Sequence, residues 1–221
     1  MKIKYCLPII KYSKEEVLTA VAAYRDEYQY LEIWLDPIKD IDIQFVDRLI
    51  YMLREKLILL FHRGDKIKTQ LSGAQKKEIL DLLDNSISLI DLDLSEKEEL
   101  EYIRKLKVQT IISYHNYKKT PDDLDEIVKQ LNEHKPTIYK ISTMCDDEKD
   151  ALKLLELQQI LRRKGKKCIV LGMGKFGTIT RVYGTLWSNE MIYAPVDKKE
   201  ASALGQLTKN ELETIFETLN K

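Results

Sequence analysis

The chain has 221 residues, of which 44% are hydrophobic and 33% are charged, and its 36 basic and 36 acidic residues cancel. This length fits one large domain or two small ones, and the balanced charge excludes the basic excess of typical nucleic-acid-binding proteins. No run approaches the ~20 apolar residues of a membrane helix, and the N-terminal segment lacks the pattern of a signal peptide. We therefore expect a cytoplasmic protein with no nucleic-acid or membrane partner.

The cysteines are few and widely separated in the sequence. Cys6, Cys145 and Cys168 form no CxxC or Cys/His pattern of a zinc site. Small buried thiols in a reducing compartment are the ordinary interpretation of such residues. We expect no metal site and no disulfide.

Strand-like and helix-like segments alternate along the whole chain. Short apolar runs typical of buried strands cover residues 3–9, 30–36, 57–63, 88–94, 108–115, 137–144, 168–174 and 191–197. Amphipathic, charged segments typical of helices cover residues 13–28, 41–56, 72–85, 95–106, 120–134, 146–165, 176–189 and 208–220.

Several helix starts carry capping signals. Ser13 with Glu16 and Ser95 with Glu98 each have the spacing of a capping box. Thr120, which precedes a proline, is a candidate N-cap of the fifth helix.

Eight strand–helix units in a row favour a parallel sheet covered by helices. In a chain of this length, they fit an α/β fold of the (β/α)8 TIM-barrel type better than an open doubly wound sheet. With no linker or break in composition, residues 1–221 are expected to form a single barrel domain.

The segment "VLGMGKFG" at residues 170–177 matches the G-x-G-x-x-G fingerprint of dinucleotide-binding proteins. That fingerprint normally follows the first strand of a βαβ unit, whereas here it lies in the seventh unit, 44 residues before the C-terminus. We therefore expect no nicotinamide or flavin cofactor, and expect the glycines to let the backbone pass close to a ligand or to a neighbouring loop.

Catalytic residues of such barrels lie at the carboxyl ends of the strands. Lys140 lies within the sixth strand, where a lysine has no easy route to solvent, and such a desolvated amine is a nucleophile toward carbonyl groups. His115 ends the fifth strand and suits acid–base chemistry near neutral pH. For His62 and His134, we expect surface or capping roles.

Lys140 and His115 together indicate an imine mechanism. The amine condenses with a ketone, the iminium acidifies the adjacent C–H bond, and the imidazole removes that proton. Aldol cleavage and β-elimination share these steps, so the pair alone leaves both reactions open.

Four segments, "IISYHNYKKTP", "IYKISTM", "GKFGTITRVYG" and "ASALGQLT", resemble in order and spacing the signature segments of type I 3-dehydroquinate dehydratase. "CLPI" and "EIWLD" nearer the N-terminus are also similar to that family. The resemblance implies a (β/α)8 barrel without metal or organic cofactor, usually a homodimer. It implies dehydration of the small-molecule substrate 3-dehydroquinate to 3-dehydroshikimate in the shikimate pathway of aromatic amino acid biosynthesis.

The resemblance also implies roles for individual residues. Lys140 matches the imine-forming lysine and His115 the acid–base histidine. Arg181 matches the arginine that holds the substrate carboxylate, consistent with a bidentate fork. Ser202 and Gln206 match a polar pair on the loop that closes over the substrate.

Three further positions match substrate-contacting residues of the family. Glu32 matches the acid that begins the second-strand motif, Arg63 the arginine that ends the third strand, and Met173 a methionine beside the substrate. By this interpretation, "GMGKFG" is the end of the seventh strand and the segment leading to Arg181.

The sequence departs from the family pattern at two positions. Trp34 stands where the second-strand motif Glu-x-Arg-x-Asp has its arginine, and Ile67 where a glutamate orients the histidine. Asp65 is the nearest acid to that second position.

Two alternatives remain open from the sequence. A class I aldolase shares the lysine and the barrel, although such enzymes commonly anchor phosphate through backbone amides. A degenerate barrel serving as an interaction domain is the non-enzymatic alternative, motivated by Trp34 and Ile67.

Overall fold

The computed structural model describes residues 3–61 and 71–219. The eight strands are β1 Tyr5–Ile9, β2 Tyr30–Trp34, β3 Leu57–Leu60, β4 Leu89–Asp93, β5 Gln109–Asn116, β6 Ile138–Met144, β7 Cys168–Met173 and β8 Ile192–Tyr193. The eight α-helices are α1 Lys14–Tyr24, α2 Ile43–Leu53, α3 Gly73–Leu82, α4 Lys97–Tyr102, α5 Leu124–Glu133, α6 Glu148–Arg163, α7 Gly174–Leu186 and α8 Lys209–Leu219. Each predicted strand and helix is present in its expected place.

The strands form one sheet in the order β7-β6-β5-β4-β3-β2-β1-β8. Sequential strands are neighbours, and β8 pairs in parallel with β1 through Tyr5↔Ile192 and Cys6↔Tyr193. This order is that of a (β/α)8 barrel and not of a doubly wound sheet, where the order reverses at a switch point. The predicted fold class is therefore confirmed.

Two compact units are distinguished within the chain, here called the N-terminal unit (residues 8–111) and the C-terminal unit (residues 1–7 and 112–221). The N-terminal unit contains the parallel ladder from β2 through β3 to β4. The C-terminal unit contains the β6–β7 and β1–β8 pairs with helices α5 to α8. A single catalytic domain over residues 1–221 stays a prediction.

The local sequence explains why these elements form. All four residues of β3, "LILL", are buried, as expected of a parallel strand covered on both faces. In α5, the buried residues Leu124, Ile127, Val128 and Leu131 recur at helical spacing and form one apolar stripe.

The helix-start predictions had mixed outcomes. The capping box of Ser13 and Glu16 is confirmed. The box predicted for Ser95 and Glu98 is wrong, because α4 begins at Lys97 and the Ser95 hydroxyl donates to Asp93 Oδ1 at 2.7 Å.

Thr120 is not the N-cap of α5, which begins four residues later at Leu124 after Asp123. The Thr120 hydroxyl instead lies 2.8 Å from both Thr143 Oγ1 and the Met144 carbonyl oxygen. It therefore fastens the segment after β5 to the end of β6. Tertiary hydrogen bonding has replaced the predicted local role.

Candidate active site

Lys140 lies on the face of β6 that is turned away from the helices. The neighbouring Tyr139 points to the helix layer, where its hydroxyl donates to Asn132 Oδ1 of α5 at 2.6 Å. Since consecutive strand residues point to opposite faces, Lys140 points inward. Its side chain is only 6% exposed, which confirms that this lysine is buried.

The Lys140 amine contacts an aromatic residue of β8. Its Nζ donates a hydrogen bond to the Tyr193 hydroxyl at 2.9 Å and lies 4.3 Å from the centroid of the same ring. Tyr193 is 3% exposed. The amine is thus held at the inner face by both a hydroxyl and a π-surface.

Arg181 is the largest fully buried side chain of the described residues, with 1% exposure. Its Nη2 donates a long bond of 3.4 Å to the Leu204 carbonyl, whereas Nε and Nη1 have no hydrogen-bond partner within residues 3–61 and 71–219. Burial lowers the pKa of the guanidinium to about 10, with a smaller opposing effect from Cys145. The group stays charged at neutral pH, and its Nε and Nη1 are available as hydrogen-bond donors to an anion such as a carboxylate.

The glycines of "GMGKFG" explain how α7 holds Arg181 against β7. A Cβ atom on Gly177 would lie 2.3 Å from the carbonyl carbon of Gly172, so the two backbones touch. The Thr180 hydroxyl accepts from Gly172 N and donates to Gly177 O, both at 2.7 Å. These glycines do permit a close backbone approach, but the approach at Gly177 joins α7 to β7 and involves neither a ligand nor a neighbouring loop.

The segment 202–206 lies against the N-terminus of α7. Gly174 N donates to Leu204 O at 3.2 Å, and Gly205, at φ 80°, approaches Gly174 O so closely that a Cβ would lie 2.5 Å from it. Ser202 N donates to Gln206 Oε1 at 2.8 Å, and Gln206 Nε2 donates to Ser202 Oγ at 2.9 Å. The two predicted substrate-binding side chains therefore bind each other.

His115 and Met173 both end strands of the C-terminal unit. His115 is the penultimate residue of β5, half-buried, with its ring nearly parallel to that of Tyr117 at a centroid distance of 6.0 Å. Met173 is the buried last residue of β7 and pairs in register with Met144 of β6.

Glu32 belongs to the N-terminal unit, in β2. It is 2% exposed, and its Oε1 accepts a hydrogen bond of 3.1 Å from the indole Nε1 of Trp34. Trp34 thus supplies a donor to the acid although it carries no charge.

The comparison with known proteins adds a decisive observation. A sequence model described as type I 3-dehydroquinase matches residues 5–221. The chain belongs to the type I 3-dehydroquinase family. Its curated relatives include proteins named 3-dehydroquinate dehydratase from Methanococcus maripaludis strain C7, with 25% identity over 97% of this chain and 99% of the relative. The protein of that name from Methanocaldococcus jannaschii is 26% identical over 97% of this chain and 98% of its own length.

Solved structures of the same family share the fold. The Geobacillus kaustophilus 3-dehydroquinate dehydratase aligns with a TM-score of 0.82 at 23% identity, covering 99% of this chain and 91% of that one. The Clostridium difficile type I 3-dehydroquinate dehydratase, whose crystal structure contains covalently modified comenic acid, aligns with a TM-score of 0.77 at 26% identity. That alignment covers 98% of this chain and 92% of its counterpart.

Some positions matched to the type I 3-dehydroquinase pattern fall outside the described residues. Arg63, Asp65 and Ile67 lie there, together with His62. Arg63 therefore stays a prediction, as does the question of which acid orients His115. His134 has the expected capping position, at the C-cap of α5.

Three properties of the described residues bear on other functions. No three His, Cys, Asp or Glu side chains among residues 3–61 and 71–219 group as metal ligands. No helix within the same residues is long and apolar enough to cross a membrane. All three cysteines are free and buried.

Tyr193 is the site residue that sequence reasoning missed. It lies in the apolar run "MIYAPVD", where an aromatic residue is unremarkable. Its contact with Lys140 joins residues 53 positions apart, on strands that are not neighbours in the sheet order. The alternation of the eighth strand could have placed Tyr193 on one face, but no local pattern indicates its partner.

Proposed function

We propose that this chain is a 3-dehydroquinate dehydratase, a carbon–oxygen hydro-lyase that converts 3-dehydroquinate to 3-dehydroshikimate through an imine on Lys140. Family membership and relatives of that name aligned over almost their whole length support the reaction. They favour it over the aldolase and over a barrel without catalytic activity.

Lys140 carries this proposal. Lys140 lies on the inner face of a parallel strand and is only 6% exposed. Burial of a lysine amine costs free energy, so such a residue is uncommon unless the amine has a specific role. Imine formation needs a neutral amine at a ketone, and exclusion of water favours that form. The C. difficile relative with covalently modified comenic acid supports covalent chemistry in the family.

The reaction begins at the ketone of the substrate. The Lys140 nitrogen bonds to the carbonyl carbon. The oxygen departs as water with one proton from that nitrogen and one from solvent, and a positively charged C=N bond remains. The iminium withdraws electrons from the neighbouring C–H bond, and His115 takes that proton as a base.

Elimination and hydrolysis complete the cycle. The electron pair of the enamine expels the β-hydroxyl group, which leaves as water with the proton held by His115. A second water then hydrolyses the conjugated iminium, which frees the product and restores Lys140. Imine formation releases one water and takes up one proton, and hydrolysis of the imine consumes one water and returns the proton. The net change is therefore the loss of one water from the substrate.

Arg181 accounts for the type of substrate. Its Nε and Nη1, which have no hydrogen-bond partner among the described residues, are available to the carboxylate of 3-dehydroquinate, which would pair with the buried charge. Ser202 and Gln206 would exchange their mutual bonds for the substrate hydroxyls. Glu32, Arg63 and Met173 stay predicted substrate-binding residues on the basis of the resemblance.

The resemblance also implies a homodimer with no metal or organic cofactor, and the sequence pattern itself predicts a cytoplasmic protein. These statements stay predictions. Analytical ultracentrifugation of the purified protein tests the dimer, for which we expect twice the mass of 25.9 kDa.

An ultraviolet assay tests the proposed function. Addition of 3-dehydroquinate should produce the absorbance of the conjugated enone, and Lys140→Ala should abolish it. Lys153→Ala, on an exposed helix face, is the matched control and should act like the original protein. Failure of the original protein to form the enone would contradict the proposal.

A further inference from the structure

The phenolic hydroxyl of Tyr193 is hydrogen-bonded to the proposed nucleophile, the Lys140 amine. The Lys140 amine donates to its oxygen at 2.9 Å, and both side chains are almost fully buried. The hydroxyl oxygen accepts the amine hydrogen while carrying a proton of its own. It has the two capacities needed to receive a proton at one site and deliver one at another.

We infer that Tyr193 is a catalytic residue that relays a proton between the Lys140 nitrogen and the substrate carbonyl oxygen during imine formation. The inference rests on the proposed function. It concerns imine formation and hydrolysis, whereas the C–H and C–O bonds of the substrate are handled by His115.

Atoms and charge are conserved in this proton transfer. Attack by the neutral amine forms the C–N bond and leaves a positive nitrogen and a negative oxygen on the same carbon. The Tyr193 oxygen takes one proton from nitrogen as its own proton passes to the negative oxygen. The products are a neutral carbinolamine and an unchanged phenol, and no further reactant is needed.

The geometry suits this transfer. In the carbinolamine, nitrogen and oxygen are attached to the same carbon, so a hydroxyl within hydrogen-bond distance of nitrogen is also near the oxygen. Tyr193 is held by its strand, because β8 pairs with β1 and Ala194 N donates to Cys6 O at 2.9 Å. A group fixed on a strand loses little freedom when it acts.

The ring and the hydroxyl of Tyr193 act on the amine separately. The ring centroid lies 4.3 Å from Nζ and stabilises a positive charge there. Tyr193→Phe keeps that surface and removes only the relay oxygen. A residue that merely supported the amine would lose little of its effect in this variant.

Tyr139→Phe is the matched control. Tyr139 is also buried, its hydroxyl also makes a side-chain hydrogen bond, and it adjoins Lys140 on β6, but it points to the opposite face. The same atom is removed at a similar structural cost without touching the amine.

The experiment measures imine formation by rapid quenching of single turnovers of 3-dehydroquinate with borohydride. We expect Tyr193→Phe to slow trapping by about 10- to 100-fold, at the lower end of the range for general acid–base groups, and Tyr139→Phe to stay within about twofold. In Tyr193→Phe, the primary isotope effect on turnover from deuterium at the abstracted C–H position should fall toward unity, because imine formation becomes the rate-limiting step. A purely structural role would not change which step is limiting.

Trapping by Tyr193→Phe at the original rate would overturn the relay alone. Absence of both enone and adduct from the original protein would overturn the proposed function, and the relay with it. If Tyr193→Phe does not fold, trapping by the original protein in D2O decides. Slower trapping than in H2O is expected, and equal rates would overturn the relay.

Discussion

Arg181 and the Ser202–Gln206 pair lie in the same unit and are assigned to the same substrate, yet the fold treats them differently. Arg181 lies on a helix in close contact with β7, and its buried Nε and Nη1 have no hydrogen-bond partner among the described residues. Ser202 and Gln206 satisfy each other on a loop. The guanidinium charge of Arg181 is thus positioned before substrate binds, which lowers the stability of the free protein. Ser202 and Gln206 must instead break their mutual hydrogen bonds before they bind the substrate.

The largest effect in this comparison is expected from Arg181→Met. The variant should lose about 2–5 kcal/mol of transition-state binding, because the substrate carboxylate is left unpaired in a desolvated site. It should fold at least as stably, since an apolar side chain replaces a buried charge whose Nε and Nη1 have no hydrogen-bond partner among the described residues. Enzyme kinetics and thermal unfolding of one preparation measure both.

Arg162→Met is the control, because Arg162 is an exposed arginine of the neighbouring helix α6. It should change neither quantity appreciably. A lowered melting temperature with normal kcat/KM in Arg181→Met would show that Arg181 supports the fold and not the substrate.

The rigidity of the Arg181 region is tested by Gly177→Ala. The new methyl group would lie 2.3 Å from the Gly172 backbone, so α7 must shift. We expect a loss of about 1–3 kcal/mol in the free energy of unfolding, as for other overpacked sites, measured by urea denaturation. Gly73→Ala, where the methyl group meets nothing within 4 Å, is the control. Equal stabilities of the two variants would disprove the tight contact between β7 and α7.

A smaller effect is expected from Ser202→Ala and Gln206→Ala. Each variant should lose about 1 kcal/mol of transition-state binding, which is the net contribution of a typical hydrogen bond, and should raise KM more than it lowers kcat. The double variant should cost less than the sum, because each single change frees the other side chain of its partner. A loss in kcat as large as that of Arg181→Met would show that the loop, like Arg181, is already positioned for the substrate in the free protein.

The smallest effect concerns the buried thiols of Cys145 and Cys168. Burial raises the pKa of Cys145 to about 11 and that of Cys168 to about 12, so the reactive thiolate is scarce near pH 8. Iodoacetamide should leave both unmodified in the native protein and label both after unfolding, as read by mass spectrometry. Rapid native labelling of Cys145, which adjoins Gly172, would show that the β7–α7 contact opens.

The fold could be predicted well from the sequence because the patterns that indicate strands and helices are local. Eight apolar runs alternating with amphipathic segments were enough for the fold, and alternation around Lys140 correctly indicated a buried lysine. Capping predictions succeeded at Ser13, where the partners are neighbours in sequence. They failed at Ser95 and Thr120, where nearby acids or another strand offered better hydrogen bonds.

The site itself depends on contacts that sequence patterns do not contain. The tyrosine that accepts a hydrogen bond from Lys140 lies 53 residues further along the chain, and the lack of partners for Arg181 Nε and Nη1 among the described residues is a property of packing alone. The resemblance identified Arg181 by position. Only the structure gives the reason that it suits a carboxylate.

The imine on Lys140 is the central claim, and mass spectrometry after borohydride reduction in the presence of 3-dehydroquinate tests it most directly. Reduction should inactivate the enzyme and block trypsin at Lys140, so that one added mass appears on the peptide covering residues 130–149. Lys140→Ala should take up no mass. An adduct on a different lysine, or no adduct from an enzyme that still forms the enone, would contradict the account.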